Sequence, residues 1–307
     1  MRVFLLRGLG VEEDPAEAER IAILEHLCVE AKDTEGELHV SPAPHHSHAK
    51  FVVADARAAL VSSFNFLQAT RDNRQLNIGL FTTHCPDPEH GIARAVLRNW
   101  TSNTTGGSIL DSLEQQLGRD ELLTGPGVIR PESGPIGDPL TAFQCWFGQL
   151  HEPPCGWETL TSEAHRDALL VALRTAERSV TVTSGDMSTS AVDAVLVSYL
   201  RSALERGVRV RLLWGCQARD PGEQQRLSEQ ARELQAILGT ARSFIINLQP
   251  KLVHCKCLVV DDWVSVVTSY NFLSYRGLRS GAHELGLKVY SHPLAVRLNS
   301  IVDPFLG

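Results

Sequence analysis

Short apolar runs alternate along this chain with longer stretches whose apolar residues recur every third or fourth position, the pattern of strands layered with helices. Arg2–Arg7 predicts a buried strand. Asp14-Pro15 starts a helix, with Asp14 as N-cap, Pro15 in the first turn and Glu17 completing a capping box; Leu24, Leu27, Cys28 and Ala31 mark its inner face. Glu37–Ser41, Lys50–Asp55, Ala59–Ser62 and Gln75–Phe81 predict strands, and Ala93–Trp100 a helix. From 101 to 160 the pattern breaks. Ser102 to Gly107, Thr124 to Gly127, Pro131 to Pro139 and Pro153-Pro154 are loop signals, with one helix near Leu110–Leu117. Phe143, Trp146, Phe147 and Trp157 read as apolar anchors that pack this linker onto the body, in preference to a base-stacking platform.

The alternation resumes with a helix over Ser162–Glu177 and a strand over Ser179–Ser184. The next helix carries Val192, Val195, Leu196, Tyr199, Leu200 and Leu204 at helical spacing, and Val208–Trp214 is a strand. Asp220-Pro221 opens another helix, with Leu227, Ala231, Leu234 and Leu238 inward. Ser243–Asn247, a strand around Cys255 and Cys257, His283–Tyr290 and a closing helix after Pro293 complete the series.

Two of these strands carry the same chemistry. His48, Lys50 and Asp55 lead to Ser63 and Asn65; His254, Lys256 and Asp261 lead to Ser269 and Asn271. The offset is constant, since 254−48, 256−50, 261−55, 269−63 and 271−65 all equal 206. A histidine offers a nucleophile or proton carrier, a lysine fixed positive charge, and an asparagine beside a hydroxyl neutral donors, the parts needed to handle a phosphate. Asp14-Pro15 matches Asp220-Pro221 at the same offset, and Leu76, Ile78 and Leu80 match Leu285, Leu287 and Val289, which sets Gln75 opposite Glu284.

The expected fold is therefore α/β, with two pseudo-twofold-related lobes, each a mixed β-sheet layered with helices. Residues 1–100 form the first repeat, 101–160 a linker and 161–307 the second repeat. The second has Ser162–Leu204 before its Val208 strand, whereas Met1 stands at the equivalent of Val208. The first lobe is expected to be N-terminally incomplete, its sheet edge covered by the linker, a larger polypeptide or a partner chain.

The paired H-x-K-x4-D motifs resemble those of the phospholipase D superfamily. That resemblance implies metal-free phosphodiester chemistry through a phosphohistidine, with no cofactor and no metal. It implies that one histidine attacks phosphorus and the other protonates the leaving oxygen. Lys50, Lys256, Asn65 and Asn271 would hold the nonbridging oxygens, Ser63 and Ser269 would add hydroxyl bonds, and Asp55 and Asp261 would act as structural supports. A polar residue at the position of Gln75 and Glu284 supports a catalytic histidine from behind in that superfamily. If each serves its own repeat, the carboxylate keeps His254 protonated as general acid and the amide leaves His48 neutral as nucleophile. The Gln-then-Glu asymmetry resembles the tyrosyl-DNA phosphodiesterases, which lack the motif aspartates present here.

Composition narrows the substrate. The chain of 307 residues is 43% hydrophobic and 21% charged, an ordinary globular balance, and no apolar run is long enough to span a bilayer. A net charge of −7 means that nucleic acid would need a local basic groove. Arg71 and Arg74 after the first motif, and Arg276 and Arg279 after the second, suit a polyanion at the mouth of the site, although solvated loop charge is as good a reading. A nuclease is the favoured expectation, with nucleic acid as partner; a phospholipase D-type lipid hydrolase and a nucleic-acid-binding module of a larger assembly are the alternatives. Seven scattered cysteines, Cys28, Cys85, Cys145, Cys155, Cys216, Cys255 and Cys257, favour free thiols and a cytoplasmic location. Cys255 and Cys257 should point away from His254 and Lys256, buried rather than metal-bound, and His45-His46-Ser47-His48 reads as a lead into the motif.

Overall fold

The computed structural model describes residues 2–5, 37–40, 48–54, 58–63, 75–82, 145–149, 156–215, 221–239, 243–274 and 284–306. The helices expected after Asp14, at Ala93–Trp100 and at Leu110–Leu117 lie outside these residues, as do Asp55, Asn65, Arg71, Arg74, Arg276 and Arg279. The chain divides into two units, Met1–His48 with Ser280–His283, and Ala49–Arg279 with Glu284–Gly307. In the first, β1 (Arg2–Leu5) and β2 (Glu37–Val40) pair in parallel, Arg2 opposite Glu37.

The second unit holds two sheets. Strands β3 (Phe51–Ala54), β4 (Ala58–Ser62), β5 (Asn77–Thr82) and β6 (Cys145–Gln149) form the smaller one in that order. The larger contains β7 (Gly156–Thr161), β8 (Ser179–Ser184), β9 (Arg209–Trp214), β10 (Phe244–Ile246), β11 (Cys257–Val260), β12 (Val264–Thr268) and β13 (Leu285–Tyr290). Its order is β10-β9-β8-β11-β12-β13-β7. The pairs β10·β9 and β9·β8 are parallel and the remainder antiparallel, so the sheet is mixed.

Alternation along β11 and β12 explains the layering. Leu258, Val260 and Val266 face a core closed by helices α1 (Ser162–Thr175), α2 (Ala194–Glu205) and α3 (Pro221–Leu238), through Leu169, Leu173, Leu196, Leu200, Leu227 and Leu234. Cys257, Val259 and Val267 face the other way, against Leu294, Leu298 and Val302 of helix α4 (His292–Leu306) and Val61, Ile78 and Leu80 of the smaller sheet. Each such fully buried aliphatic side chain contributes about 1.5–3 kcal/mol. Arg166 fastens α1 to α2, donating to Ala191 O and to Asp193, the N-cap of α2, at 3.0 Å.

The smaller sheet repeats the larger in part. The antiparallel order β3-β4-β5 is that of β11-β12-β13, and Val61 pairs with Leu80 as Val267 pairs with Leu287. A counterpart of β8 is not among the described residues. The sheets join through one parallel bridge, Leu76 to Val253, in which Leu76 N–H donates to Leu252 O at 2.8 Å and His254 N–H to Leu76 O at 2.9 Å.

Some elements differ from expectation. The stretch read as linker contributes strands to both sheets, β6 parallel to β5 and β7 antiparallel to β13. Val195 is 52% exposed, because α2 starts at Ala194 and turns that position to solvent. Regular pairing in the second motif begins only at Cys257, since the His254 amide is already committed to Leu76.

Candidate active site

His254, Lys256, Lys50, Asn271, Ser269 and Glu284 are all buried, and Lys256 entirely so. A run of polar side chains this deep requires partners. His254 Nδ1 lies 3.0 Å from Asn77 Oδ1. The amide's orientation is fixed, because Asn77 Nδ2 donates to Gln75 O at 3.2 Å while Ser63 Oγ donates to Oδ1 at 3.2 Å. An oxygen therefore faces the ring, and Nδ1 carries a proton.

Asn77 was not singled out in the sequence. Gln75 stands two residues earlier, and among the described residues its backbone carbonyl is what it supplies here. The hydrogen bonds show which residues correspond. Ser63 Oγ accepts from Ile78 N–H, and Ser269 Oγ accepts from Leu285 N–H. Ser63 binds Asn77, and Ser269 binds the Glu284 carboxylate. Asn77 is thus the counterpart of Glu284, and the residue behind His254 comes from the opposite repeat.

The lysines converge. Lys256 Nζ donates to His254 O at 2.9 Å. Burial, with the nearby Lys50 charge, pushes Lys256 well below the usual lysine range, against the attraction of Glu284 and Asp186. Burial also lowers Lys50 to about 8, again against Glu284. Burial and mutual repulsion thus disfavour the charged form of these lysines, and an anion beside them would restore it.

Gly185, at the end of β8, closes one wall. Its N–H donates to Asn271 Oδ1 at 2.9 Å, which turns Asn271 Nδ2 away; that group has no acceptor among the described residues. A Cβ at Gly185 would stand 2.9 Å from His254 Cδ2, 3.0 Å from Lys256 Nζ and 3.2 Å from Asn271 Oδ1, so the backbone itself packs against the site. Only its place after a buried strand could have signalled this.

A second layer holds the Thr268–Phe272 segment. His165 on α1 is fully buried, and burial lowers it to about 4, so it is neutral. Its Nδ1 donates to Ser162 O at 3.2 Å, its Nε2 accepts from Thr268 Oγ1 at 2.7 Å, and its ring stacks on Tyr270 at 4.8 Å. Thr268 Oγ1 in turn accepts from Tyr270 N–H at 2.9 Å. A Cβ on Gly286 would lie 2.5 Å from His165 Nε2.

Asp261 lies apart from these groups, in the β11–β12 turn at φ 52°. Its carboxylate accepts from the backbone N–H groups of Glu177, Arg178 and Ser179 at 2.9, 2.7 and 2.8 Å, tying the α1–β8 connection to the motif strand. These bonds hold its carboxyl below the usual range although burial opposes them. Cys255 and Cys257 are buried free thiols on the face away from His254, both pushed up by burial, Cys257 to about 11. His48 is half-buried and belongs to the first unit. No helix among the described residues is long and apolar enough to cross a membrane.

Residues 169–304 match the family described as cardiolipin synthase, PLD-like domain. Phosphatidylserine synthase from Haemophilus influenzae Rd KW20 is similar in fold over 99% of this chain and 72% of its own, at 12% identity and a TM-score of 0.56. Nuc from Salmonella typhimurium, a phospholipase D family member, aligns with 49% of this chain and 93% of its own at 16% identity, TM-score 0.37. NucT from Helicobacter pylori aligns with 49% and 96% at 12% identity, TM-score 0.36. No curated protein matches the chain in sequence.

Proposed function

We propose, on the match of residues 169–304 to a family of PLD-like domains, that the protein is a phosphodiesterase working through a phosphohistidine. The observation that carries this reading is the gathering of His254, Lys256 and Asn271 around Gly185, each within 3.2 Å of a Cβ placed there, with Lys256 bound to His254 O and Asn271 to Gly185 N–H. A substrate phosphate takes the place between the lysines, and Asn271 Nδ2 donates to a nonbridging oxygen, where charge collects in the transition state. His48, two residues before Lys50 in the first motif, is the nucleophile. Its ring nitrogen forms the N–P bond while the P–O bond to the leaving alcohol breaks, and His254, entering the step as an imidazolium with Nδ1–H on Asn77, gives that oxygen the proton on Nε2. Water then enters. His254 takes its proton, the hydroxide attacks phosphorus, and the N–P bond breaks.

The expected carboxylate is not what backs His254: the neutral Asn77 of the other repeat stands there, so the argument that a carboxylate keeps His254 protonated falls away, and the assignment of His48 as nucleophile stands on the trapping experiment below. The two repeats, 1–100 and 161–307, are read as pseudo-twofold halves of one catalytic apparatus, supported by the shared β3-β4-β5 and β11-β12-β13 order. Nucleic acid is the proposed substrate, on the arginines that follow each motif. A lipid substrate is the second reading, favoured by Leu248 and Leu252, 42% and 58% exposed on the segment entering His254. Buried free thiols at Cys255 and Cys257 support a reducing, cytoplasmic setting.

The test is purified protein in EDTA with bis(4-nitrophenyl) phosphate, single-stranded and duplex DNA, RNA, and phospholipid vesicles. His254→Asn should trap phosphate on His48, visible by peptide mass spectrometry, and His48→Ala should give no adduct. Phosphate on His254 in the wild-type protein would reverse the roles. Hydrolysis of vesicles alone would replace nucleic acid by lipid.

A further inference from the structure

Asp186 follows Gly185, the residue whose backbone touches His254, Lys256 and Asn271. The antiparallel ladder of β8 and β11 ends with Cys257 opposite Thr183, and the chain beyond it brings Gly185 against His254 and Lys256, with Asp186 the next residue. The turn that carries Asp186 is firmly built. Ser184 Oγ donates to Asp186 O at 2.7 Å and accepts from Leu273 N–H at 3.2 Å. Asp186 Oδ1 accepts from Met187 N–H at 2.8 Å, which leaves its second oxygen without a protein donor among the described residues. Asn271, held by Gly185 N–H, is 7% exposed and has no acceptor for Nδ2 among the described residues. Gly185 thus stands between an amide donor suited to a phosphate oxygen, on Asn271, and a carboxylate oxygen suited to a donor, on the residue that follows it in the chain.

We propose that Asp186 selects the substrate: its carboxylate accepts a hydrogen bond from a hydroxyl or ammonium group carried by one of the two alcohols of the phosphodiester, and it turns away a further phosphate on that side. The proposal rests on the phosphodiesterase reading and sharpens it. It makes the favoured substrate a diester with a donor-bearing alcohol next to the scissile phosphate, such as a terminal nucleoside with a free hydroxyl, over one in which the polyanion continues. The charge surroundings agree. Burial raises the Asp186 carboxyl, Glu223 in the first turn of α3 raises it further, and Lys256 opposes them. A second phosphate placed there would meet two carboxylates, whereas a hydroxyl or ammonium donor relieves a carboxylate that is short of partners.

Asp186→Asn is the informative change. It retains an oxygen for Met187 N–H but replaces the free oxygen with an amide that donates. Three chromogenic esters are compared: 4-nitrophenyl thymidine 5′-phosphate, which has a free 3′-hydroxyl; the same ester phosphorylated at the 3′ position; and bis(4-nitrophenyl) phosphate, which has no donor. For the wild-type protein, kcat/KM should be highest for the free 3′-hydroxyl ester relative to the 3′-phosphorylated one. In the variant, the ratio of kcat/KM for the free 3′-hydroxyl ester to that for bis(4-nitrophenyl) phosphate should fall about 10- to 100-fold. The 3′-phosphorylated ester should gain relative to both. 4-Nitrophenyl phosphorylcholine, a cation without a donor, separates charge from hydrogen bonding; the same fall with that ester assigns the preference to charge and overturns the donor proposal. An unchanged ratio between the first and third esters overturns it too. If the wild-type protein cleaves none of these esters, or if His254→Asn cleaves them as well as wild type does, the phosphodiesterase reading fails and takes the proposal with it.

Discussion

Gly185→Ala is the sharpest test of the site geometry. No left-handed backbone is needed at this position, so alanine is conformationally allowed, and anything it does is steric. In the absence of crowding, the substitution would stabilise the protein by about 0.4–1 kcal/mol through the unfolded chain. The new methyl would instead lie 2.9 Å from His254 Cδ2 and 3.0 Å from Lys256 Nζ, against an ordinary carbon contact of about 3.5 Å. Something must therefore move by roughly 0.5 Å. The imidazole is held by Asn77 and the Lys256 ammonium by His254 O, so neither yields freely. Overpacking of this kind costs about 1–3 kcal/mol. A catalytic group misplaced by about 1 Å loses on the order of 100-fold in rate, so half that displacement should lower kcat/KM by roughly 10-fold. The assays are hydrolysis of bis(4-nitrophenyl) phosphate and thermal unfolding of the same preparation. Activity within twofold of wild type, together with a raised Tm, would mean that the β8 terminus does not press on His254, and the wall described here would be wrong.

Four other outcomes are expected. Burial lowers Lys50 from 10.5 to about 8, so holding its charge at neutral pH costs the fold up to about 3 kcal/mol; Lys50→Met should abolish activity yet raise Tm at pH 7, with a gain that shrinks as pH rises from 8 to 10.5. A lower Tm would refute this. Competitive binding of inorganic phosphate should weaken as Lys50 discharges above pH 8; equal inhibition at pH 7 and 9.5 would refute it. Asp261→Asn keeps a residue tolerant of φ 52° but loses a charge-assisted acceptor for three N–H groups; it should destabilise by about 2–3 kcal/mol while leaving the pH profile of the folded enzyme in place. Asn77→Asp puts a negative charge where an amide oxygen now faces His254 at 3.0 Å, and the limb of the pH–rate profile owed to His254 should move up by about 1–3 units, as measured by kcat/KM between pH 5 and 10.

The motif strands were legible because a constant offset of 206 at chemically demanding positions leaves little room for chance. Asn77 was not, for a physical reason. Matching Leu76, Ile78 and Leu80 to Leu285, Leu287 and Val289 preserves the inside–outside alternation, and so does matching Ile78 and Leu80 to Leu285 and Leu287, as the Ser63 and Ser269 hydrogen bonds require. A slip of two residues is invisible to a pattern with period two. It moved the supporting role from Asn77 to Gln75 and hid the crossing of that support between repeats. β6 escaped because Cys145–Gln149 is short and set among proline- and glycine-rich loops. Gly185 escaped because a glycine at a strand end ordinarily reads as a turn.

The bridge between Leu76 and Val253 has a consequence for exchange experiments. The His254 amide proton is held by a carbonyl of the smaller sheet, at 2.9 Å, and by nothing in its own strand ladder. Its exchange with solvent deuterium therefore clocks the parting of the two sheets, not the fraying of β11. A compound lodged between Lys50 and Lys256 would slow that single amide far more than the amides of Leu258 or Val259, which the ladder already protects. One backbone proton can thus report occupancy of the site before any substrate is known.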